Sequence, residues 1–121
     1  DLQNLKIETN IAIPDVRKVK DSLIKSNDDI LEFDFEYTVK YTPDIAEISL
    51  AGTLVLAVED EFSKEILKNW KKKKLPDKVR VAIFNAVLKK SNIKALNLED
   101  EMNLPYHLPL PELKPAEENK E

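Results

Sequence analysis

Alternating apolar and polar positions in the middle of the chain predict two long β-strands. In residues 31–41 every second side chain is apolar; these are Leu31, Phe33, Phe35, Tyr37, Val39 and Tyr41. The same period of two returns after Pro43 and Asp44, at Ile48, Leu50, Leu54, Leu56 and Val58. Because Pro43 fixes its own φ and Asp44 favours turns, the two strands are predicted to pair as an antiparallel hairpin over residues 31–58.

A further strand is predicted before the hairpin, over residues 4–13. Apolar side chains alternate there with polar ones, and Pro14 and Asp15 are expected to end the strand. Residues 16–24 leave two interpretations open, a helix or a short edge strand. Gly52, inside the second hairpin strand, is expected to mark a bulge or the close approach of another backbone.

The hydrophobic period becomes helical after Val58. A helix is predicted near residues 60–74, with acidic residues in its first turn and Lys71 to Lys74 in its last, which complements the helix dipole. A second helix is predicted over residues 77–102, because Pro76 is tolerated at a helix start. Its buried stripe is predicted to be Val79, Ala82, Ile83, Ala86 and Val87, widened by Phe84 and Leu88.

These elements predict an α+β fold, an antiparallel β-sheet with two helices packed on one face. Residues 1–113 are expected to form a single domain and residues 114–121 a disordered charged tail. The proline-rich segment 104–111 must be extended. Its leucines favour docking on its own domain over presentation as a ligand for another protein.

Composition excludes several classes of function. The chain has 121 residues, a net charge of −4 and no cysteine, so disulfides, thiolate chemistry and cysteine-based zinc sites are excluded. Gly52 is the single glycine, which argues against phosphate-binding loops. Apolar runs are too short to span a bilayer, and without a secretory signal in the residues given a cytoplasmic location is the default expectation.

Candidate chemical residues are few. His107 is the only histidine and has no partner for a metal site or a nucleophile dyad, so it is expected to be a packing or surface residue. We therefore expect no enzymatic activity, no cofactor and no metal site. Lys71 to Lys74 beside Trp70 could contact nucleic acid, although a solvated helix end with Trp70 buried explains them as well. Asp28-Asp29 and Glu59-Asp60-Glu61 could hold a divalent cation, but a turn for the first and a helix start for the second explain these acidic residues without one.

The order of the elements resembles that of SecB-like export chaperones over about residues 30–111. Residues 48–58 look like the family's glycine-containing strand, and Leu75-Pro76 followed by residues 79–88 is similar to its proline-begun long helix. Residues 103–111 resemble its proline-bearing extended segment. The resemblance implies a homo-oligomer, a dimer or tetramer, that holds unfolded chains in apolar grooves.

The favoured function is accordingly a chaperone of the holdase type, whose partners are unfolded or nascent polypeptides. The residues expected to line or border the binding groove are Phe33, Phe35, Tyr37, Tyr41, Trp70, Tyr106 and Leu108. The sheet face turned away from the helices is rich in small residues and suits packing between subunits. The alternative is a small non-catalytic subunit of a ribonucleoprotein or other assembly that contacts RNA through its basic patch, Trp70 to Lys74 with Lys89 and Lys90.

Overall fold

A computed structural model of the chain describes residues 4–19 and 28–116. Within these residues the elements follow in the order β1 (Lys6–Val19), β2 (Asp28–Thr42), β3 (Ala46–Glu59), α1 (Asp60–Trp70) and α2 (Asp77–Glu101). This confirms the predicted α+β class. Residues 20–24, for which helix and strand were both open, and residues 117–121 of the predicted tail lie outside the described residues.

The three described strands form one antiparallel sheet in the order β1-β2-β3. Pairing between β2 and β3 runs without interruption from Asp28 opposite Glu59 to Tyr41 opposite Ala46, so the predicted hairpin is confirmed. The loop is closed by a hydrogen bond of 2.9 Å from the Ile45 N–H to the Tyr41 carbonyl oxygen. Asp44 adopts a left-handed conformation in this loop, with φ of 45°.

The alternation in β2 separates a helix-covered face from an outer face. The covered positions of β2 are buried in the core: Leu31, Phe33, Tyr37, Val39 and Tyr41. Helix residues Ile66, Val79, Ile83 and Val87 complete that core. Burial of large apolar side chains on this one face holds the helices to the sheet, since each fully buried side chain contributes about 1.5–3 kcal/mol.

Strand β1 continues through Pro14, contrary to the prediction that it would end there. The register shifts between Ala12 and Asp15, which places one extra residue in β1. Pro14 is tolerated because β1 lies at the edge of the sheet, where a missing N–H need not interrupt pairing. Beyond the bulge Val16 lies opposite Phe33 and is buried. The edge-strand interpretation is therefore correct for residues 16–19.

Gly52 marks neither a bulge nor the close approach of a backbone. It lies opposite Phe35 in unbroken pairing, and the ring of Phe35 covers it. A Cβ atom at position 52 would lie 2.8 Å from Cζ and 2.9 Å from Cε2 of that ring. A side chain at position 52 would therefore require the Phe35 ring to move.

Helix α2 contacts the rest of the protein along one row of side chains spaced four residues apart. The buried members of the row are Val79, Ile83, Val87, Ser91, Ala95 and Glu99. Since 3.6 residues complete a turn, this row winds slowly around the helix and changes the face that it presents to the core. Ala82, predicted in the buried stripe, is exposed for that reason, and Ala86 is half-buried.

Candidate functional site

An open cleft of about 450 Å³ lies where strand β1 faces the corner between the two helices. Its apolar lining comes from three parts of the chain and consists of Ile11, Ala12, Ile13, Trp70, Leu75 and Phe84. The volume falls within the range of about 300–1,000 Å³ that is typical of ligand sites. We call this region the β1 cleft.

The end of α1 shapes one wall of the β1 cleft. Lys73 has φ of 58°, and its N–H donates to the Trp70 carbonyl oxygen while the Lys74 N–H donates to that of Asn69. This hydrogen-bond pair is a Schellman motif, which usually has glycine at the left-handed position. Here a lysine occupies it, and Lys73 Nζ lies 4.9 Å from the ring centre of Trp70. Lysine is thus held at the cleft in an unfavourable backbone conformation.

The basic run lies beyond α1 and not in its last turn as predicted. The helix ends at Trp70, and Lys68 is the basic residue of its last turn. Lys73 and Lys74 instead join Arg80 of α2 in lining the β1 cleft. All three side chains are exposed at its rim.

The extended segment of residues 104–110, here called the strap, turns back from the end of α2. Asn103 has φ of 57°, the Leu104 N–H donates to the Glu99 carbonyl oxygen at 2.9 Å, and the Asn103 N–H donates to that of Asp100 at 3.3 Å. This is again a Schellman motif, with asparagine at the left-handed position. The motif directs the strap back along α2, so that His107 approaches Glu99.

A buried polar network fixes the strap to the domain. The Glu99 carboxylate accepts the His107 backbone N–H at 3.1 Å and contacts the ring Nδ1 at 2.8 Å. The Tyr37 hydroxyl donates to Asn92 Oδ1 at 2.7 Å, and His107 Nε2 lies 2.9 Å from that hydroxyl. Tyr41 donates to the Pro105 carbonyl oxygen at 2.6 Å. These bonds connect β2, α2 and the strap.

The network is closed to ligands. Only 1% of the His107 side chain and none of the Glu99 side chain is exposed. Burial, with a smaller contribution from the nearby Glu99 charge, raises the pKa of Tyr37 to about 12. Burial also raises the pKa of Tyr41. Both phenols therefore remain neutral hydrogen-bond donors at physiological pH. The arrangement attaches a segment to the domain and offers no access for a substrate.

The residues predicted to line a groove lie in different parts of the structure. Trp70 lines the β1 cleft. Phe33, Tyr37 and Tyr41 lie in the core beneath the helices and present no surface. Phe35 is half-buried over Gly52.

The remaining two predicted groove residues lie on the strap. Tyr106 is 42% exposed and Leu108 36% exposed. The Tyr106 hydroxyl donates to Asp100 at 2.7 Å, and that carboxylate raises the pKa of the phenol. Tyr106 borders a second cleft, beside Leu104, so the predicted residues do not form one continuous groove.

Sequence reasoning missed several residues of the cleft and the network. Glu99 continues the row of buried α2 residues at four-residue spacing. A charged residue in such a row could have indicated a buried polar partner for its carboxylate. Phe84 was assigned to the core, although it also lines the β1 cleft. Neither Asn92 nor His107 carries a local pattern that indicates its partner.

Comparison of the chain with models of protein families, with curated proteins and with solved structures finds no significant match. The described residues contain no group of His, Asp or Glu side chains placed to hold a metal ion. Neither helix in the described part of the chain combines the length and apolar character needed to cross a bilayer. We therefore infer function from the geometry of the clefts and sheet edges.

Proposed function

We propose that the protein is a holdase-type chaperone that binds extended apolar segments of unfolded polypeptides without changing them chemically. The observation that carries this proposal is the β1 cleft, an open concave surface with six apolar lining residues beside a sheet edge. Apolar surface that stays accessible in a folded domain favours binding of apolar side chains through the hydrophobic effect.

The sheet edge adds a second source of affinity. Ile11 and Ile13 line the cleft and belong to β1, which lies at the edge of the described sheet. A polypeptide lying along this edge can hydrogen-bond to the β1 backbone while alternate side chains enter the cleft. The bulge at Pro14 limits such pairing to the part of β1 before it. Main-chain bonding is independent of side-chain identity, which suits a binder of varied clients.

The proposal predicts that the protein suppresses aggregation of a reduced, unfolded client at stoichiometric amounts, followed by light scattering. Replacing Phe84 by Ser removes apolar lining and should weaken client binding about tenfold, since burial of such a side chain contributes about 1.5–3 kcal/mol. Binding can be measured by the fluorescence of Trp70, the single tryptophan, which lies in the cleft.

The matched control is Val81→Ser, because Val81 is exposed on the same helix and does not line the cleft. This variant should bind clients as the wild type does. Absence of any suppression by the wild type would refute the holdase proposal. Unchanged binding by the Phe84 variant would show that the clients bind elsewhere.

We also propose that the protein forms homo-oligomers through the β3 edge. Residues 48–58 carry no charge, and pairing with β2 is free of bulges along them. Strand β1, at the opposite edge of the described sheet, has Pro14 and a bulge, which leave only the part of β1 before them for regular pairing and protect the edge from pairing along its whole length. The unprotected edge is thus the one suited to a second copy.

A lysine on this edge should prevent the association. Val55 is 59% exposed on the outer face of β3, and Val55→Lys introduces a charge into both copies of an antiparallel pair. Static light scattering should give a dimer or tetramer for the wild type and a monomer for this variant. The control variant Val19→Lys, on β1, should leave the mass of the oligomer unchanged. A monomeric wild type would refute the β3 proposal.

Contact with RNA is the second candidate, favoured by the exposure of Lys71 to Lys74 directly after Trp70. Retention of the protein on immobilised RNA that decreases steeply with salt would support it, because phosphate contacts release counterions. The net charge of −4 opposes general nucleic-acid binding. We therefore rank this function second.

A further inference from the structure

The β1 cleft combines an apolar lining with positive charge that no carboxylate in its lining balances. Lys73, Lys74 and Arg80 are part of the lining, and none of its described residues is acidic. Neither Lys73 nor Lys74 forms an ion pair with any described residue. Arg80 forms an ion pair with Asp77, at 3.5 Å, and with no other described residue, and 92% of the Asp77 side chain is exposed.

Arg17 on the outer sheet face shows the opposite arrangement. Its guanidinium lies 2.7 Å from carboxylate oxygens of both Glu32 and Asp34 and 3.2 Å from that of Asp15. The hydrogen bond from Arg17 holds the pKa of Asp34 below its usual value. Four other concave regions of the described chain each include Asp or Glu in their lining. Unbalanced positive charge is therefore specific to the β1 cleft among these regions.

We propose that the β1 cleft selects polypeptide segments in which apolar residues alternate with or adjoin Asp and Glu. This inference rests on the proposed holdase function and names its client class. Apolar client side chains contact Ile11, Leu75 and Phe84, while client carboxylates reach the cations at the rim. A polypeptide fits better than RNA, because single-strand binding uses successive aromatic platforms and this lining is mainly aliphatic apart from Trp70 and Phe84.

The test uses three peptides of equal length that carry the same leucines and differ only in flanking Asp, Ser or Lys residues. Their affinities are measured by Trp70 fluorescence with the full chain. At low ionic strength the Asp peptide should bind about tenfold more tightly than the Lys peptide, with the Ser peptide between them. At about 1 M salt, where the Debye length is about 3 Å, the difference should largely disappear.

Charge reversal at the rim should reverse this order. The double variant Lys74→Glu with Arg80→Glu leaves one cation and two carboxylates at the rim and should prefer the Lys peptide. Lys89→Glu with Lys90→Glu, the same charge change on exposed residues outside the cleft, should keep the wild-type order. Equal binding of all three peptides to the wild type would overturn the selectivity and leave the holdase proposal intact. Binding of none of them would refute the holdase proposal. Tighter binding of single-stranded RNA or a fatty acid than of the Asp peptide would assign the cations to another ligand class and overturn the inference.

Discussion

Replacing Glu99 by Ala should lower the free energy of unfolding by at least about 1–3 kcal/mol, the usual cost of a buried polar group that loses its hydrogen-bond partner. The Glu99 carboxylate accepts both the backbone N–H and the ring Nδ1 contact of His107, and both side chains are buried. In the variant, the backbone N–H and the ring Nδ1 of His107 lose their partner in the network. Urea unfolding, with equal slopes for wild type and variant, measures the change.

Two comparisons separate the network from general damage to α2. Glu101→Ala, an exposed position two residues away, should change the free energy of unfolding by less than about 0.5 kcal/mol. The double variant Glu99→Leu with His107→Leu should recover part of the loss, because it removes the ring together with the carboxylate and leaves only the backbone N–H of residue 107 without its acceptor. A loss below about 1 kcal/mol in Glu99→Ala would show that the strap does not depend on this pair.

The strap contributes to the core as well as to its own attachment. Tyr41 donates to the Pro105 carbonyl oxygen, and Tyr37 donates to Asn92 beside His107. Release of the strap would leave the Tyr41 hydroxyl without this acceptor beneath the helices. A buried hydroxyl without a partner costs about 1–3 kcal/mol. Attachment of the strap and burial of these two tyrosines therefore stabilise each other.

The hairpin and the two helices could be predicted because their patterns are local. A period of two over residues 31–41 requires only that one face be buried. The course of β1 beyond Pro14 could not be predicted in the same way. There the apolar phase shifts from Ile13 to Val16, and such a shift is typical of a strand end as well as of a bulge.

The candidate site was predicted less completely, for a physical reason. Core and groove use the same kinds of side chain. Strand alternation places Phe33 and Tyr37 on an apolar face, and helical spacing does the same for Trp70, but neither pattern tells which face stays open. Only the path of the chain after α1 brings Lys73 and Arg80 beside Trp70. The pairing of residues 99 and 107 likewise depends on the reversal at Asn103, where Asn103 and Pro105 indicate the end of a helix but not the direction that the chain takes after it.

The contact between Gly52 and Phe35 predicts that Gly52→Val destabilises the fold, by about 1–3 kcal/mol as for other overpacked sites. Strand positions ordinarily favour valine over glycine, so a lower stability of the valine variant would be opposite to the intrinsic preference of the two residues. Steric conflict explains why the substitution should be destabilising, since the added Cβ would lie 2.8 Å from the Phe35 ring and the ring would have to move. Urea unfolding again measures the change.

The neighbouring position supplies a control for the Gly52 prediction with the same new side chain. Ala51 is exposed and belongs to the opposite face of β3, so Ala51→Val should be neutral or slightly stabilising. The double variant Phe35→Ala with Gly52→Val should lose less free energy of unfolding than the two single variants lose together, because removing the ring makes room for the valine. Simple additivity of the two changes would show that the ring moves aside at little cost. In that case the glycine would have no steric role in the sheet.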